Sequence, residues 1–473
     1  MNERIVKVGL VGFGTIGSGV AKLILEDADS IAARIGIRPV LACVVDIDTT
    51  TERPVKLPEG ILTNDLNRLL GDKSIEIGIE LIGGTTVAKQ VQIKMLQAGK
   101  DVVTANKALL AEHGSELYNI AKQNGRCIAF EASCAGGIPL ISSIRSGLTA
   151  NNISGIYGIV NGTCNYILSS MTAYDEEFSD ALAQAQKKGY AEPNPTLDIS
   201  GSDSAHKLAI LSSIAFGYEI TIDDIYCEGI ESISKFDIQY GSEMGYCLKL
   251  LAIATRCVEG VSPSVNQYAG KMPATQEGVS HSVNSMRGQD ARDTISLRVH
   301  PSFISKDNHL ARVGGPFNAI SLFGSATGQV MFYGRGAGMM PTASAVVADI
   351  IDVALGNSKT TFFNLAVRKK NENAIKIETI DNLICRFYIR IMCKDRPGVI
   401  AQWSKVLAEH NISISGALQH EEIGPDNTVP VVIVTHPTLQ KSITAALEDM
   451  EKLDSVRGKP FCIRIVDIPE DKD

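Results

Sequence analysis

The chain has 473 residues, 44% hydrophobic and 21% charged, a length that predicts about three domains and a substantial buried core. Its 45 Lys and Arg residues against 53 Asp and Glu residues leave a net charge of −8, so no basic excess is available to bind nucleic acid. No apolar run approaches the roughly 18 residues that a membrane span needs, which argues against a membrane partner.

The ten cysteines are scattered without a C-x-x-C pair, which suits neither a zinc site nor a disulfide framework. This favours free thiols in a reducing, cytoplasmic compartment. At the N-terminus, Arg4 and Lys7 flank a short apolar stretch that leads into glycine-rich turns. We expect a strand there and no signal peptide, because a small-residue cleavage pattern is missing.

Strand-like and helical segments alternate through the first part of the chain. β-rich runs lie at 5–12, 40–45 and 76–82, helical patterns at 20–25 and 87–98, and shorter β-rich runs at 101–104 and 127–130. Strands that alternate with helices imply a parallel sheet. We therefore predict an α/β protein whose residues 1–135 form a Rossmann-like, doubly wound nucleotide-binding domain.

The pattern changes after residues 136–139, where long helical stretches at 181–188 and 204–216 separate strands. We predict an α+β substrate-binding and dimerisation domain over 136–356, with an insertion at 257–294 that is rich in Ser, Gly, Gln and Asn. A small-residue helix at 342–354 closes this domain.

A polar, charged stretch at 357–382 is the predicted linker to a third domain, residues 383–473. The third domain is predicted as β (385–393), α (398–410), β (412–420), β (429–435), α (438–450), β (460–467). This order is the split βαβ pattern of a small ferredoxin-like domain.

A G-x-G-x-x-G motif lies between the first predicted strand and helix. Its residues are Gly12, Phe13, Gly14, Thr15, Ile16 and Gly17. Glycines there allow the turn and the close approach of a pyrophosphate, which the helix N-terminus attracts. The alternative is a purely structural glycine turn in another kind of α/β protein.

Asp46 ends the second predicted strand, where its carboxylate can accept from the adenosine ribose 2′-hydroxyl. No arginine adjoins it in the sequence to bind a 2′-phosphate, which favours NAD over NADP. The alternative is an Asp that caps a helix or closes a turn.

Asp203 and Lys207 are spaced i and i+4 on a predicted helix, usually the spacing of a solvated surface pair. Here the helix continues to residue 216 without another charge, so we expect it to be buried, with Lys207 near its N-terminal end. Burial disfavours a charged amine, so such a lysine can exchange a proton with a substrate.

Two further features have a functional and an ordinary interpretation. Glu192, Asp198 and Asp203 cluster in a predicted loop that contains Pro and Gly. Such a cluster can bind the ammonium group of a substrate, and the alternative is an acidic loop that is simply solvated. Lys107 follows a strand end and so falls at the carboxyl edge of the sheet, where ligands of such folds bind, although a surface lysine is the commoner case.

Six motifs occur together, over residues 5–355, in the order seen in homoserine dehydrogenases, and on these motifs the chain resembles that family. They are the glycine motif 12–17, Val-Thr-Ala-Asn-Lys at 103–107, Glu-Ala-Ser-Cys-Ala-Gly-Gly-Ile-Pro at 131–139, Asn-Gly-Thr-Cys-Asn-Tyr-Ile at 161–167, Glu-Pro at 192–193 through Gly201-x-Asp203-x-x-x-Lys207, and Gly-Arg-Gly-Ala-Gly at 334–338.

The resemblance implies reversible hydride transfer between a nicotinamide cofactor, NAD or NADP, and the pair L-homoserine and L-aspartate 4-semialdehyde. By the same motifs, Lys207 is the expected acid/base residue, Asp203 its helical partner and Lys107 a second active-site lysine. Glu192 is the expected ligand of the substrate amino group. Asp198 and Thr163 complete the candidate substrate ligands, and Gly338 is expected to approach the cofactor.

The resemblance also implies a monovalent cation, Na⁺ or K⁺, at the segment of Glu131, Cys134, Gly136 and Ile138, through backbone carbonyls. Cys134 stands where the family commonly has Val. Cys164 stands where it commonly has Thr.

Asp395-Arg396-Pro397-Gly398 resembles the opening of an ACT domain, the amino-acid-sensing module that many homoserine dehydrogenases carry. Asp395 and Gly398 are therefore candidate effector residues, and L-threonine is the expected effector. The alternatives are an ACT domain used only for assembly, and a whole chain that is a non-catalytic amino-acid sensor. We expect a homodimer or homotetramer.

Overall fold

The computed structural model describes residues 3–257, 293–369, 375–419 and 428–469. The predicted insertion at 257–294 lies almost wholly outside these ranges, as do residues 370–374 of the predicted linker.

The first sheet has six parallel strands in the order β3-β2-β1-β4-β5-β6, which is the Rossmann order. Its strands are β1 (Arg4–Val11), β2 (Ile37–Val45), β3 (Leu62–Thr63), β4 (Ile75–Glu80), β5 (Asp101–Thr104) and β6 (Ile128–Ala129). The helices between them are α1 (Thr15–Ile35), α2 (Leu66–Gly71), α3 (Val87–Gln97) and α4 (Lys107–Gln123). Strand order reverses between β1 and β4, so the carboxyl ends of these strands open the crevice in which such folds bind ligands.

A mixed second sheet begins with five antiparallel strands in the order β12-β11-β7-β9-β10. These are β7 (Ile153–Ile159), β9 (Tyr246–Cys257), β10 (Asp293–Ser305), β11 (Phe317–Gly324) and β12 (Gly328–Arg335), and the short β8 (Tyr226–Cys227) pairs with β10. The helices are α5 (Leu140–Ser142), α6 (Gly162–Tyr174), α7 (Phe178–Lys187), α8 (Thr196–Ile199), α9 (Ser202–Phe216), α10 (Lys235–Glu243), α11 (Met339–Leu355) and α12 (Asn357–Asn364).

Two helices connect this part of the chain to the Rossmann domain. Helix α11 packs so closely on α1 that a Cβ atom on Gly19 would lie 3.0 Å from the Cβ of Ala343. Helix α9, whose apolar sequence predicts burial, packs against α4 and β9 and is buried along most of its length.

The last domain has the predicted βαββαβ order. Its elements are β14 (Ile384–Lys394), α13 (Val399–Glu409), β15 (Ile414–Gln419), β16 (Thr428–Thr435), β17 (Thr438–Leu439), α14 (Gln440–Glu451) and β18 (Phe461–Ile465). A separate apolar core lies between its sheet and its two helices, with Trp403 fully buried in it. The α/β fold class, with a Rossmann-like domain followed by an α+β domain and a ferredoxin-like domain, is confirmed.

The last domain continues the second sheet without a break. Strand β18 pairs in parallel with β10, through Ser302 with Arg464 and Phe303 with Ile465, so the order runs on as β10-β18-β14-β16-β15. Residues 357–364 of the predicted linker form α12, and residues 375–377 form β13 (Ile375–Ile377) beside β10. The domain is thus fixed to the substrate domain by shared backbone hydrogen bonds.

Within the described ranges, no single helix has the length and apolar character to cross a membrane. The bent pair α11 and α12, which meet at 86°, satisfies both criteria jointly by length and composition alone. Most of α11 is buried in the fold.

Candidate active site

Three charged side chains meet where α4 of the Rossmann domain faces α9. The carboxylate of Asp203 bonds Lys207 Nζ through Oδ2 and Lys107 Nζ through Oδ1, each at 2.7 Å. Asp203 and Lys207 are buried, with side chains 7% and 9% exposed, whereas Lys107 is 39% exposed. The pair at 203 and 207 is therefore no solvated surface pair, and Lys107 belongs to the same cluster.

Helix ends position these groups. Helix α9 begins after Gly201, which has φ of +85°, so Asp203 lies in its first turn. Helix α4 begins at Lys107 itself, because the Asn106 side chain accepts a hydrogen bond from the amide of Leu109 and caps that end. Both helices thus direct their N-terminal turns to one place.

The electrostatics of the cluster favour ion pairs. Although burial opposes it, the ammonium groups of Lys207 and Lys107 hold the pKa of Asp203 well below its usual range. Burial also opposes the charged form of Lys107, yet the neighbouring Asp203 carboxylate raises the pKa of that lysine. A single carboxylate therefore stabilises two cations from two domains.

Asn161 connects this cluster to a second carboxyl group. Its side-chain Nδ2 donates to Asp203 Oδ2 at 2.8 Å and to Asp198 Oδ1 at 2.7 Å, while its Oδ1 accepts from the amide of Cys164 and caps α6. Burial, with the charge of Asp203, raises the pKa of Asp198. The sequence analysis gave Asn161 no role, although it opens the 161–167 motif and stands at a helix-capping position before Gly162.

Glu80 is a second residue that sequence reasoning missed. It ends β4 fully buried, and its carboxylate accepts from the amides of Ile82 and Gly83 and from the Thr104 hydroxyl. Thr104 in turn accepts from the amide of Asn106, next to Lys107. A lone Glu at the end of an apolar strand before two glycines was the available signal.

The glycine motif fits a dinucleotide. Gly12 has φ of +98°, and a Cβ on Gly17 would lie 2.1 Å from the Gly12 carbonyl oxygen, so both positions require glycine. Nothing lies within 4 Å of a Cβ on Gly14, and Gly14 and Thr15 are exposed at the start of α1. Phe13 is buried below the loop and Ile16 is half-buried. The motif leaves open space at a helix N-terminus, as a pyrophosphate requires.

The surroundings of Asp46 differ in part from the expectation. Its Oδ2 accepts from the amide of Phe13 at 2.5 Å, and its Oδ1 closes a turn with the amide of Asp48. Arg53, seven residues further on, donates through Nε to the Phe13 carbonyl at 2.9 Å. Arg53 is thus an arginine near Asp46 that adjacency in the sequence does not reveal, because the loop after β2 folds back over the glycine motif.

The segment of Glu131, Cys134, Gly136 and Ile138 fits a monovalent cation held by carbonyl groups. Cys134 and Gly136 are buried, yet no described residue donates a hydrogen bond to either carbonyl oxygen. Both oxygens of the Glu131 carboxylate already accept hydrogen bonds, from the amides of Ile141 and Ser142 in α5. Burial raises the pKa of the Cys134 thiol to about 12, which keeps it from acting as a thiolate ligand. In the described ranges, no group of three His, Cys, Asp or Glu side chains is arranged to hold a metal.

The other candidates lie around this centre. Glu192 is exposed in the loop before α8, and no described residue hydrogen-bonds its carboxylate, so the structure does not bring it into contact with Asp203 or Lys207. The Thr163 hydroxyl donates to the Tyr190 carbonyl at 2.7 Å. Gly338 has φ of +122° at the start of α11. The Cys164 thiol donates a hydrogen bond to the Asp198 carbonyl at 3.1 Å, as a threonine hydroxyl at this position would.

The predicted effector turn lies apart from this centre. Asp395 and Gly398 are exposed at the turn from β14 to α13, and Gly398 has φ of +86° with nothing within 4 Å of a Cβ. The start of α13 is therefore open to a ligand.

Comparison with known proteins gives one consistent result. The homoserine dehydrogenase family model matches residues 139–351, its NAD-binding domain model matches 12–131, and the ACT domain model matches 387–454. The chain is 39% identical over 468 residues to the homoserine dehydrogenase of Helicobacter pylori, covering 98% of this chain and 100% of the relative. It is 37% identical over 463 residues to that of Neisseria gonorrhoeae, covering 97% and 98%. The crystal structure of a homoserine dehydrogenase from Thiobacillus denitrificans matches with a TM-score of 0.82 and 35% identity, covering 98% of this chain and 99% of that chain.

The opposite pKa shifts of two neighbouring carboxyl groups predict opposite effects on stability. Asp203→Asn removes the partner of two ammonium groups and is expected to cost roughly 3–5 kcal/mol of unfolding free energy at pH 7. Because the folded-state pKa is lowered, this cost persists above about pH 4 and disappears as the pH falls towards the folded pKa.

Asp198→Asn is the matched control. Its pKa is raised in the folded state, so removing the charge is expected to increase stability at pH 7, and the gain is lost as the pH falls through the raised folded pKa towards about 4. Denaturant unfolding between pH 3 and pH 7 measures both. Shifts of one sign, independent of pH, would contradict the charge assignment.

Proposed function

The chain belongs to the homoserine dehydrogenase family, and from that premise we propose how its residues carry out the reaction. It is an oxidoreductase that interconverts L-homoserine and L-aspartate 4-semialdehyde with a nicotinamide cofactor. Membership of this family excludes the alternative interpretation, in which the whole chain is a non-catalytic amino-acid sensor. The observation that carries the residue roles is the buried cluster of Lys107, Asp203 and Lys207.

Lys207 is the proton donor and acceptor at the substrate oxygen. When bound, the nicotinamide cofactor supplies the hydride to the carbonyl carbon or accepts it back. The Lys207 ammonium donates to the Val160 carbonyl and to Asp203, each at 2.7 Å. An ammonium has three N–H groups, so one remains to protonate the substrate oxygen as the alcohol forms.

Lys107 and Asp203 support this step. Asp203 pairs with both ammonium groups, and Lys107, the more exposed, keeps N–H groups that no described residue accepts. A second cation near the reacting oxygen stabilises the negative charge that develops there during reduction. Asp203 therefore acts as a positioning residue for two lysines.

The substrate ammonium group is proposed to bind on the acidic side of the site. Asp198, in α8, offers a carboxylate held by Asn161, while Glu192 lies in the loop before α8 and Thr163 in the first turn of α6. Charge-assisted hydrogen bonds from an ammonium group to such carboxylates fix orientation as well as affinity.

We further propose that a monovalent cation, Na⁺ or K⁺, is held by backbone carbonyls of the 131–138 segment. The unpaired carbonyl groups of Cys134 and Gly136 support this assignment. A cation there would fix the turn that leads into α5. The cation would also fix the contact between this turn and the 334–338 loop. The two segments are so close that a Cβ on Gly136 would lie 2.7 Å from the Gly336 carbonyl oxygen.

Removing the Lys207 amine is expected to lower kcat by about 100-fold or more, the scale of a general acid. Lys207→Ala and Lys207→Arg are compared, and arginine is not expected to restore the rate because it does not give up its proton. Turnover is followed at the nicotinamide absorbance in potassium, sodium and tetramethylammonium chloride, since the proposed cation site takes only the first two. An unchanged kcat with a raised KM would make Lys207 a binding residue.

For the cofactor we propose a preference for NAD, because the Asp46 carboxylate repels a 2′-phosphate. The ratio of kcat/KM for NAD and NADP measures this, and Asp46→Ala is expected to shift it towards NADP. Arg53→Gln is the control, since its guanidinium is the nearby cation that could favour NADP. A wild-type preference for NADP that Arg53→Gln removes would contradict the assignment.

The chain is proposed to act in the cytoplasm as a homodimer or homotetramer. The ten cysteines all lie within the described ranges and form no disulfide there, which agrees with a reducing compartment. Strand β12 forms a half-exposed edge of the second sheet, with Tyr333 57% exposed, and such an edge can pair with another chain.

The ACT domain is proposed to mediate feedback inhibition by L-threonine at Asp395 and Gly398. We expect inhibition in the millimolar range or below, weakened by Gly398→Asp because the new side chain and charge obstruct the helix start. Gly60→Asp is the control, since Gly60 also has a positive φ with no atom within 4 Å but lies in the first domain. A rate that ignores saturating L-threonine would contradict the proposal.

A further inference from the structure

A polar cavity lies between the ACT domain and the substrate domain. Its volume is about 540 Å³, within the roughly 300–1,000 Å³ typical of small-ligand pockets. The substrate domain contributes Tyr226, Glu228 and Ser232 to its wall, and the ACT domain contributes residues of β14, α14 and the 459–464 segment. None of the lining residues belongs to the 395–398 turn.

Ion pairs between the two domains line the cavity. Arg464, fully buried on β18, donates to Glu228 Oε2 at 2.6 Å, to the Gln440 amide oxygen at 2.8 Å and to the Tyr226 hydroxyl at 3.2 Å. The other carboxylate oxygen of Glu228, Oε1, receives no hydrogen bond from the described residues. A buried guanidinium and a half-satisfied carboxylate therefore face the same space.

The rim carries one more group of each sign. Lys459 and Glu448 line the cavity with exposed side chains, and neither has an ion pair or hydrogen bond with any described residue. Between them the wall offers the hydroxyl of Thr444 and the apolar side chain of Leu447. Separate cationic and anionic groups with an apolar wall suit a zwitterion with a short side chain.

The cavity wall also contacts the active-site loop. The amide of Ile230 donates to the Ile199 carbonyl at 2.9 Å, and a Cβ on Gly229 would lie 2.3 Å from that same oxygen. The Cys227 thiol donates to the Ser200 carbonyl at 3.3 Å. Residues 199–201 run from the end of α8 to the start of α9, so the cavity wall contacts the segment that lies between Asp198 and Asp203.

We propose that this cavity is a second amino-acid effector site. A free α-amino acid binds there with its ammonium group on Glu228 and Glu448 and its carboxylate on Lys459. Its ammonium group competes with Arg464 for Glu228, which loosens the segment that holds residues 199–201. The proposal rests on the dehydrogenase activity and the ACT-mediated control proposed above, and it places a second site at the domain junction.

The experiment uses the full-length enzyme and L-threonine, L-isoleucine, L-methionine and L-lysine as probes. Calorimetric titration measures binding, and the apparent KM for L-homoserine measures the effect. We expect at least one probe to bind and to raise KM by about fivefold or more, the lower range of allosteric coupling. Propionate and propylamine, which carry one charge each, are not expected to reproduce this.

Four variants locate the site. Lys459→Gln and Glu448→Gln are each expected to weaken binding at least tenfold, with turnover unchanged in the absence of amino acid. Lys441→Gln and Glu451→Gln are the matched controls, since both residues are exposed on α14 outside the cavity. Gly398→Asp is expected to retain binding at the cavity.

Each alternative result overturns the proposal in a distinct way. Failure of every probe to bind excludes an amino-acid site in the cavity, and so does binding that Gly398→Asp abolishes while Lys459→Gln and Glu448→Gln leave it intact. A change of oligomeric state in the cavity variants, without amino-acid binding, would instead identify a contact between copies of the chain. Absence of basal turnover would contradict the proposed function, whereas calorimetry would still test the cavity.

Discussion

The buried carboxylate of Asp203 is the constraint on which the arrangement of the active site depends. Taking a carboxylate and an ammonium group out of water costs several kcal/mol each, and only close, well-oriented partners offset this. Asp203 has two such partners, Lys207 on its own helix and Lys107 at the start of α4, together with the amide of Asn161. Because Lys107 belongs to the nucleotide-binding domain, the ion cluster joins that domain to the substrate domain.

A shared β-sheet connects the ACT domain to the substrate domain. Strand β10 pairs with β9 on one side and with β18 of the ACT domain on the other, and its Val299 carbonyl accepts from the amide of Glu228. Strand β10 also contacts helix α9, which carries Asp203 and Lys207. Backbone hydrogen bonds therefore join the ACT domain to a strand against which this helix packs.

Much of the architecture follows from local patterns. The predicted strand 385–393 is observed as Ile384–Lys394, and the predicted helix 398–410 as Val399–Glu409, because alternation and apolar periodicity both end at clear turn residues. The burial of Lys207 follows from a helix that stays uncharged and mostly apolar for nine residues after it. Glu80 and Asn161 escaped prediction because a single polar residue at a strand or helix end has many ordinary explanations, and only its hydrogen-bond partners distinguish them.

The sequence by itself determined the fold class, the glycine motif and the pairing of Asp203 with Lys207, since each depends on periodicity, on backbone freedom or on an i, i+4 spacing within one element. The tertiary structure decided which distant groups meet: Lys107 with Asp203, Arg53 with the glycine motif, and Arg464 with Glu228. The physical reason is that such contacts join residues far apart in the chain, and their energies depend on burial and distance. Those two quantities exist only after the elements have packed.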